Sequence, residues 1–266
     1  MTIRPLAPAD RPWVRDVLAA HYREDLAWIH DAGYADLARD AAALLLDELA
    51  RAGHRGGTVV DLGCGSGALA ARLCGAGYRV LGIDVSEAMI ALARERAPKA
   101  EFRVGSFVSA ELPRCVAVAA IGEVLSYGFD PANDDRARAA LFRRIHDALV
   151  PGGVFVFDVA GRERAEPGRR RTYAQGADWA VLVDSDLDPA TCVLTRNITS
   201  YRVVEGRYRR EMEVHRLVLL DTEVVLDVLR DIGFDARRIP GYRAAPLPPG
   251  VAGFVCRKAD ATAGLR

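Results

Sequence analysis

Two carboxylates and three glycines carry most of the chemistry legible in this sequence. Asp61 stands two residues before Gly63 in Val59-Val60-Asp61-Leu62-Gly63-Cys64-Gly65-Ser66-Gly67. The valines read as the end of a buried strand, and Ala68-Leu69-Ala70-Ala71-Arg72-Leu73 as the start of a helix. Strand, glycine turn and helix start bring bare main-chain N–H groups to one point, which suits a nucleotide-like ligand. The spacing Gly63-x-Gly65-x-x-Ala68 also matches a dinucleotide-binding turn. Asp61 argues against that use, because a pyrophosphate on the turn would meet a carboxylate, whereas a cationic ligand would be attracted. Asp84 ends a second apolar stretch, Tyr78–Ile83, and Ser86 caps the helix that follows.

The elements that must hold these residues alternate regularly. Strands are expected at Thr58–Leu62, Tyr78–Ile83, Ala100–Val104, Val116–Ile121 and Val154–Val159. Helices are expected at Gly67–Gly75, Ser86–Arg96 and Asp134–Leu149, the last closed by Pro151-Gly152-Gly153. Near-continuous apolar strands separated by helices mean a parallel sheet covered on both faces. Such sheets bind ligands at the carboxyl ends of their strands, where Asp61, Asp84, Ser106 and Gly122 all fall. Ahead of this core, residues 8–52 read as helical. One helix starts near Pro12 with Asp10 as its cap, and another spans Tyr34–Ala52. Between them, His21–His30 concentrates aromatic and ionisable groups. After residue 160 the pattern changes. Gly161–Arg171 reads as an arginine-rich loop, followed by strands Trp179–Asp184, Cys192–Val204 and Tyr208–Leu220 and a hairpin turn at Val204-Glu205-Gly206-Arg207. A helix at Thr222–Ile232, stopped by Gly233, and strands Phe234–Tyr242 and Val251–Arg257 complete the chain. The expected division is an N-terminal helical lid (1–54), a core (55–160 and 221–258) and an antiparallel β insertion (161–220) covering the acceptor side.

With 266 residues, 50% of them hydrophobic, the chain can bury a substantial core. Thirty-six basic and 36 acidic residues balance, which argues against nucleic acid as the main partner. Arg169-Arg170-Arg171 and Arg207, Arg209 and Arg210 are offset by Glu163, Glu166, Glu205 and Glu211. Cys64, Cys74, Cys115, Cys192 and Cys256 are widely spaced with no CxxC, which reads as reduced thiols in a cytoplasmic protein and not as a disulfide framework or zinc site. No apolar signal core or membrane-length run occurs, so no membrane partner is expected.

Asp61-Leu62-Gly63-Cys64-Gly65-Ser66-Gly67 resembles the first motif of the class I S-adenosylmethionine-dependent methyltransferases. Gly82-Ile83-Asp84-Val85-Ser86 is similar to that family's second-strand acid and following helix, and Leu149-Val150-Pro151-Gly152-Gly153 to its turn before the fifth strand. The resemblance implies a Rossmann-like α/β fold with a mostly parallel seven-stranded sheet and helices on both faces. It implies S-adenosyl-L-methionine as cofactor. Gly63, Gly65 and Gly67 would let the backbone approach the methionine half, which Asp61 would orient through its ammonium or a water. Asp84 would accept hydrogen bonds from the ribose hydroxyls. Val85 and Met89 would press on the adenine, with Ser106 and Phe107 at its edge. Many family members have Asp where this chain has Ser106, and a hydroxyl offers an acceptor without the charge. Gly122 and Glu123 fall where the family contacts the methionine and begins the acceptor side. Tyr22 would bind the methionine carboxylate.

The acceptor pocket is expected between the strand ends, the lid and the insertion, with candidates Tyr22, Trp28, His30, Glu123, Tyr127, Arg196, Tyr201, Glu213 and His215. His215, Glu123, Tyr127 and His30 are the catalytic candidates. Glu211, Glu213 and His215 alternate onto one strand face, where a carboxylate beside an imidazole makes a general base or, alternatively, a solvated ion pair. The fourth strand lacks the Asn/Asp-Pro-Pro-Tyr turn of enzymes that methylate base amino groups. The expected partner is therefore a small-molecule acceptor methylated on oxygen or nitrogen. The alternatives are an RNA or protein methyltransferase and a protein that uses or binds the cofactor without methylating. A monomer or homodimer is expected.

Overall fold

The computed structural model describes residues 21–243 and 245–259, so the helix start expected at Asp10 and Pro12 lies outside the described residues. The first described element is one long helix, α1 (Glu24–Arg51), followed by β1 (Thr58–Leu62), α2 (Ala68–Gly75), β2 (Arg79–Asp84), α3 (Glu87–Arg96), β3 (Glu101–Val104), β4 (Cys115–Ala120), α4 (Asp135–Ala148) and β5 (Leu149–Ala160). Four strands follow: β6 (Gly168–Gln175), β7 (Trp179–Asp188), β8 (Val193–Val204) and β9 (Arg207–Val218). The core resumes with α5 (Thr222–Ile232), β10 (Phe234–Ile239), the short β11 (Gly241–Tyr242) and β12 (Ala245–Pro246), and β13 (Val251–Lys258).

Seven strands form the expected sheet, in the order β10-β13-β5-β4-β1-β2-β3. β1 to β5 run parallel, and β13 runs antiparallel between β5 and β10. Alternate residues of the central strands face opposite layers. Val60, Leu62, Val118, Phe155 and Phe157 pack with α4 and α5, while Val59, Val80, Ala117 and Val156 pack with α1, α2 and α3. Both faces are therefore covered, and only the strand ends stay open to a ligand. β6 to β9 form a separate four-stranded antiparallel sheet. No described helix is long and apolar enough to cross a membrane, and the five cysteines are free.

Four details differ from the sequence reading. His21–His30 is not a link between two helices, because α1 is continuous from Glu24. Gly33, a helix-weakening residue within it, lies against the Trp179 ring, which an added Cβ would approach to 3.1 Å. The arginine-rich segment expected as loop is in part β6, an exposed edge strand whose Arg169 and Arg171 pair with Asp184 on β7. Its residues show no apolar alternation because neither face is buried. Pro151-Gly152-Gly153 lies inside β5, where Gly152 takes φ 71° and the register against β4 slips between Cys115 and Ala117. The strand expected through Tyr242 stops at Ile239, before Pro240, which has no N–H to give a ladder.

Candidate functional site

The turn after β1 is built as its glycines require. Gly63, Gly65 and Gly67 take φ of 66°, 51° and 76°, a left-handed region that side chains disfavour. A Cβ on Gly63 would come within 2.5 Å of Val124, the first residue past the end of the β4 turn. The turn is pinned by its neighbour strand. Gly63 and Cys64 donate to the Ile83 carbonyl, and Gly65 N–H donates to Asp84 Oδ2 at 2.9 Å. Asp84 Oδ1 accepts from Ser86 N–H at 2.9 Å. Each Asp84 oxygen keeps a second lone pair, so the carboxylate can still accept from a ligand.

Asp61 lies at the base of the same turn and is 2% exposed. Its Oδ2 is buried without a hydrogen-bond partner. Burial first, and then the charge of Asp84, push its carboxyl up to about 8. An unpartnered buried acid beside a second acid lacks a cationic donor, and the ammonium of S-adenosylmethionine fits that need. Val85 is exposed at the mouth. Met89 is enclosed, with its sulfur about 4.0 Å from where a Cβ on Gly65 would stand, so it visibly supports the turn from below. Ser106 Oγ accepts from Val108 N–H, and Phe107 packs against the α4 layer.

The N-terminal helix closes over this turn through contacts that no local pattern announces. Ser66 Oγ donates to Asp31 Oδ1 at 2.5 Å, and Arg96 donates to Asp31 Oδ2 at 2.7 Å and to Ser66 Oγ at 2.7 Å. Helix α1, the glycine turn and α3 are thus tied at one place. Tyr22, just ahead of α1, takes φ 50°. It is held there because its N–H donates to Glu213 Oε2 at 2.6 Å, its carbonyl accepts from Ser86 Oγ at 2.7 Å, and its hydroxyl meets that of Tyr127 at 3.1 Å.

Between α1, the residues after β4 and the insertion, His21, Tyr22, His30, Tyr127, Phe129 and His215 form one ring cluster. The Tyr22 and His215 centroids are 4.8 Å apart, and those of Phe129 and His215 5.0 Å. His30 stands edge-on to Tyr22 at 5.2 Å, and burial pushes it down to about 4. His21 stacks on Phe129 at 3.8 Å and is lowered to about 4 by the same cause. Glu213 and His215 are 2% and 1% exposed, so the solvated strand face is excluded. Their pairing is real, with His215 Nε2 2.8 Å from Glu213 Oε2. Glu213 also accepts from Arg23 N–H at 2.8 Å, which makes it an anchor for the start of α1. An acceptor oxygen at Nε2 assigns the proton there and leaves Nδ1 with its lone pair, buried and unpartnered among the rings.

Other expected residues are placed differently. The N–H groups of Gly122 and Glu123 are taken by Asp158, which Tyr242 also contacts, and the Glu123 carbonyl accepts from Ser126 N–H at 2.9 Å. Glu123, in the left-handed region at φ 61°, has its carboxylate engaged between Arg164 and Arg196. Tyr201 pairs across the strands with Ala180 and Arg210, on the face opposite Arg196, Glu213 and His215, and does not join the site. Trp28 packs under the Arg202 guanidinium at 4.1 Å and anchors α1 to the insertion. Sequence reasoning missed Asp31, Arg96, His21, Phe129, Arg164 and Asp158.

Residues 59–153 match a family model described as a methyltransferase domain. Two trans-aconitate 2-methyltransferases are similar: that of Paracidovorax citrulli is 40% identical over 129 residues, 46% of each chain, and that of Variovorax paradoxus is 38% identical over 128 residues, again 46% of each. The chain spans about half the length of these curated relatives. Among solved structures, an S-adenosylmethionine-dependent methyltransferase from Clostridium acetobutylicum aligns at TM-score 0.75, with 15% identity, over 88% of this chain and 97% of that one. The CcbJ methyltransferase of Streptomyces caelestis aligns at 0.74, with 20% identity, over 91% and 99%. At such identities the likeness speaks for the fold. Residues 59–153 therefore carry a methyltransferase domain, and the strand order and the glycine turn between Asp61 and Asp84 give the chain the fold of S-adenosylmethionine-dependent methyltransferases.

Proposed function

We propose that the chain binds S-adenosylmethionine on the turn at residues 63–67 and transfers its methyl group, by in-line displacement, to an oxygen or nitrogen of a small-molecule acceptor. The observation that carries this reading is the unpartnered buried oxygen of Asp61, beside Asp84, at a turn whose glycines leave the backbone bare. When bound, S-adenosylmethionine supplies a methyl carbon already activated by its sulfonium. What remains for the protein is positioning and, where the acceptor carries a proton, a base.

Asp61 holds the ammonium end and Asp84 the ribose hydroxyls, while Val85, Ser106 and Phe107 border the adenine. Tyr22 and His30, carried by α1 and the residues before it, cover the acceptor side with Tyr127. His215 Nδ1 accepts the acceptor's proton, with Glu213 fixing the ring through Nε2. The enclosure by α1 and the insertion supports a small molecule over a polymer, because a closed ring cluster keeps water from the reacting atoms.

Calorimetric titration with S-adenosylmethionine, S-adenosylhomocysteine and NADH tests the cofactor. Binding of the first two without the third is expected, and Asp84→Ala is expected to weaken them by at least about tenfold, having left two hydroxyls unpartnered. Absence of binding sinks the reading. Release of S-adenosylhomocysteine across a panel of phenols, amines and carboxylates separates a methylating enzyme from a binder.

A further inference from the structure

Two guanidinium groups share one carboxylate beside the ring cluster. Arg164 Nε donates to Glu123 Oε1 at 2.6 Å, and both terminal nitrogens of Arg196 reach Glu123 Oε2 at 3.3 Å. The Arg164, Arg196 and Glu123 side chains are 26%, 15% and 11% exposed, so the group stands largely out of water. Neighbouring acids are already engaged. Glu213 holds Tyr22, Arg23 and His215, with the Arg23 guanidinium at 3.9 Å. Asp158 holds the Gly122 and Glu123 N–H groups and the Tyr242 hydroxyl. Arg164 and Arg196 therefore carry one more positive charge than Glu123 balances. A half-buried surplus charge is unfavourable unless an anion joins it.

The direction of that surplus is set by register. Arg196 on β8 lies opposite Ser185 on β7 and His215 on β9, so its side chain stands on the face that carries His215. The hydroxyls of Tyr22 and Tyr127 feel its charge, which places it at the rim of the ring cluster. A guanidinium offers five donors in a planar fork, and two long contacts to a single oxygen leave most of that capacity unused.

We propose that Arg196, assisted by Arg164, docks an anionic group of the methyl acceptor, a carboxylate or a phosphate, and that the acceptor is an organic acid, not a neutral or cationic metabolite. The inference rests on the methyl-transfer reading for its meaning, but the anion site is testable alone. The acid group sits on Arg196, and the remainder of the acceptor lies against Tyr22, Tyr127 and His215.

Benzoate and phenyl phosphate, with benzamide and benzyl alcohol as neutral counterparts, are titrated at constant ionic strength with and without S-adenosylhomocysteine. The anions are expected to bind at least about tenfold tighter than the neutral compounds. Arg196→Gln abolishes the preference, Arg196→Lys keeps part of it, and S-adenosylhomocysteine affinity in both stays within about twofold of the parent. Glu123→Gln removes the competing carboxylate and tightens benzoate. Equal binding of acid and amide, binding of neither, or a preference that survives Arg196→Gln overturns the inference. Anion preference without S-adenosylhomocysteine binding would leave the anion site standing and sink the methyl-transfer reading, whereas S-adenosylhomocysteine binding without anion preference would overturn the anion site alone.

Discussion

Glu213 accepts the main-chain N–H of Tyr22 at 2.6 Å although 191 residues separate them. One carboxylate on the insertion therefore holds the residue at which the N-terminal segment turns, unfavourably, into the left-handed region. The same carboxylate orients His215. Holding the start of α1 and orienting the imidazole thus fall to one side chain.

Glu213→Gln keeps the shape but turns an acceptor into a group with one oxygen and two donors. The amide nitrogen then faces an N–H of Tyr22 or Arg23, or the Nε2–H of His215. Stability is expected to fall by about 1–3 kcal/mol, as when a buried charged acceptor is lost. Amide hydrogen exchange at Tyr22 and Arg23 is expected to accelerate by at least about tenfold. Unchanged exchange at those two amides would show that the start of α1 is held elsewhere.

His215→Gln removes the Nδ1 lone pair while leaving an amide nitrogen near the Nε2 position that can still donate to Glu213. Turnover is expected to drop by about 10²-fold or more, the range of a lost general base, with S-adenosylhomocysteine affinity intact. Full turnover would return His215 to a packing role within the rings.

The glycine turn, Asp61 and Asp84 were legible because their geometry is local: strand, turn and helix follow one another within a few residues, and each acid ends a strand. The parallel, doubly covered sheet followed from near-continuous apolar strands between helices, and its seven strands from the family resemblance. Other contacts left no such trace. Asp31, Ser66 and Arg96 meet across 35 and 65 residues with no period linking them. β6 has neither face buried, so the alternation that marks a strand is missing. Glu213 and His215 were visible as a strand face, but whether that face met water or rings depended on how α1 folds back, which strand periodicity does not encode. Continuity of α1 was hidden by Gly33, tolerated because Trp179 fills the space beside it.

Asp61 couples folding, protonation and cofactor binding. Its carboxyl is pushed up to about 8 in the folded chain, against about 3.9 for an unperturbed Asp. Between those values the folded state holds a proton that the unfolded state has released. Stability is then greatest below about pH 4 as far as this group is concerned, and its contribution is lost as pH rises through about 8. Asp158, raised by burial to about 6, adds a slope of the same sign over a narrower range. Asp61→Asn removes the first slope and keeps the second, which unfolding curves from pH 5 to 8.5 resolve. Ligand binding reverses the preference. An ammonium opposite Asp61 favours the carboxylate, so binding S-adenosylhomocysteine at pH 7 should release close to one proton, since a group titrating at about 8 is mostly protonated there. Affinity should rise by up to about tenfold per unit between pH 6 and 7.5. Calorimetry in two buffers of different ionisation heat counts the proton directly. Binding with no proton released, or an Asp61→Asn variant that keeps both affinity and slope, would remove Asp61 from the ammonium and leave its burial without a ligand to explain it.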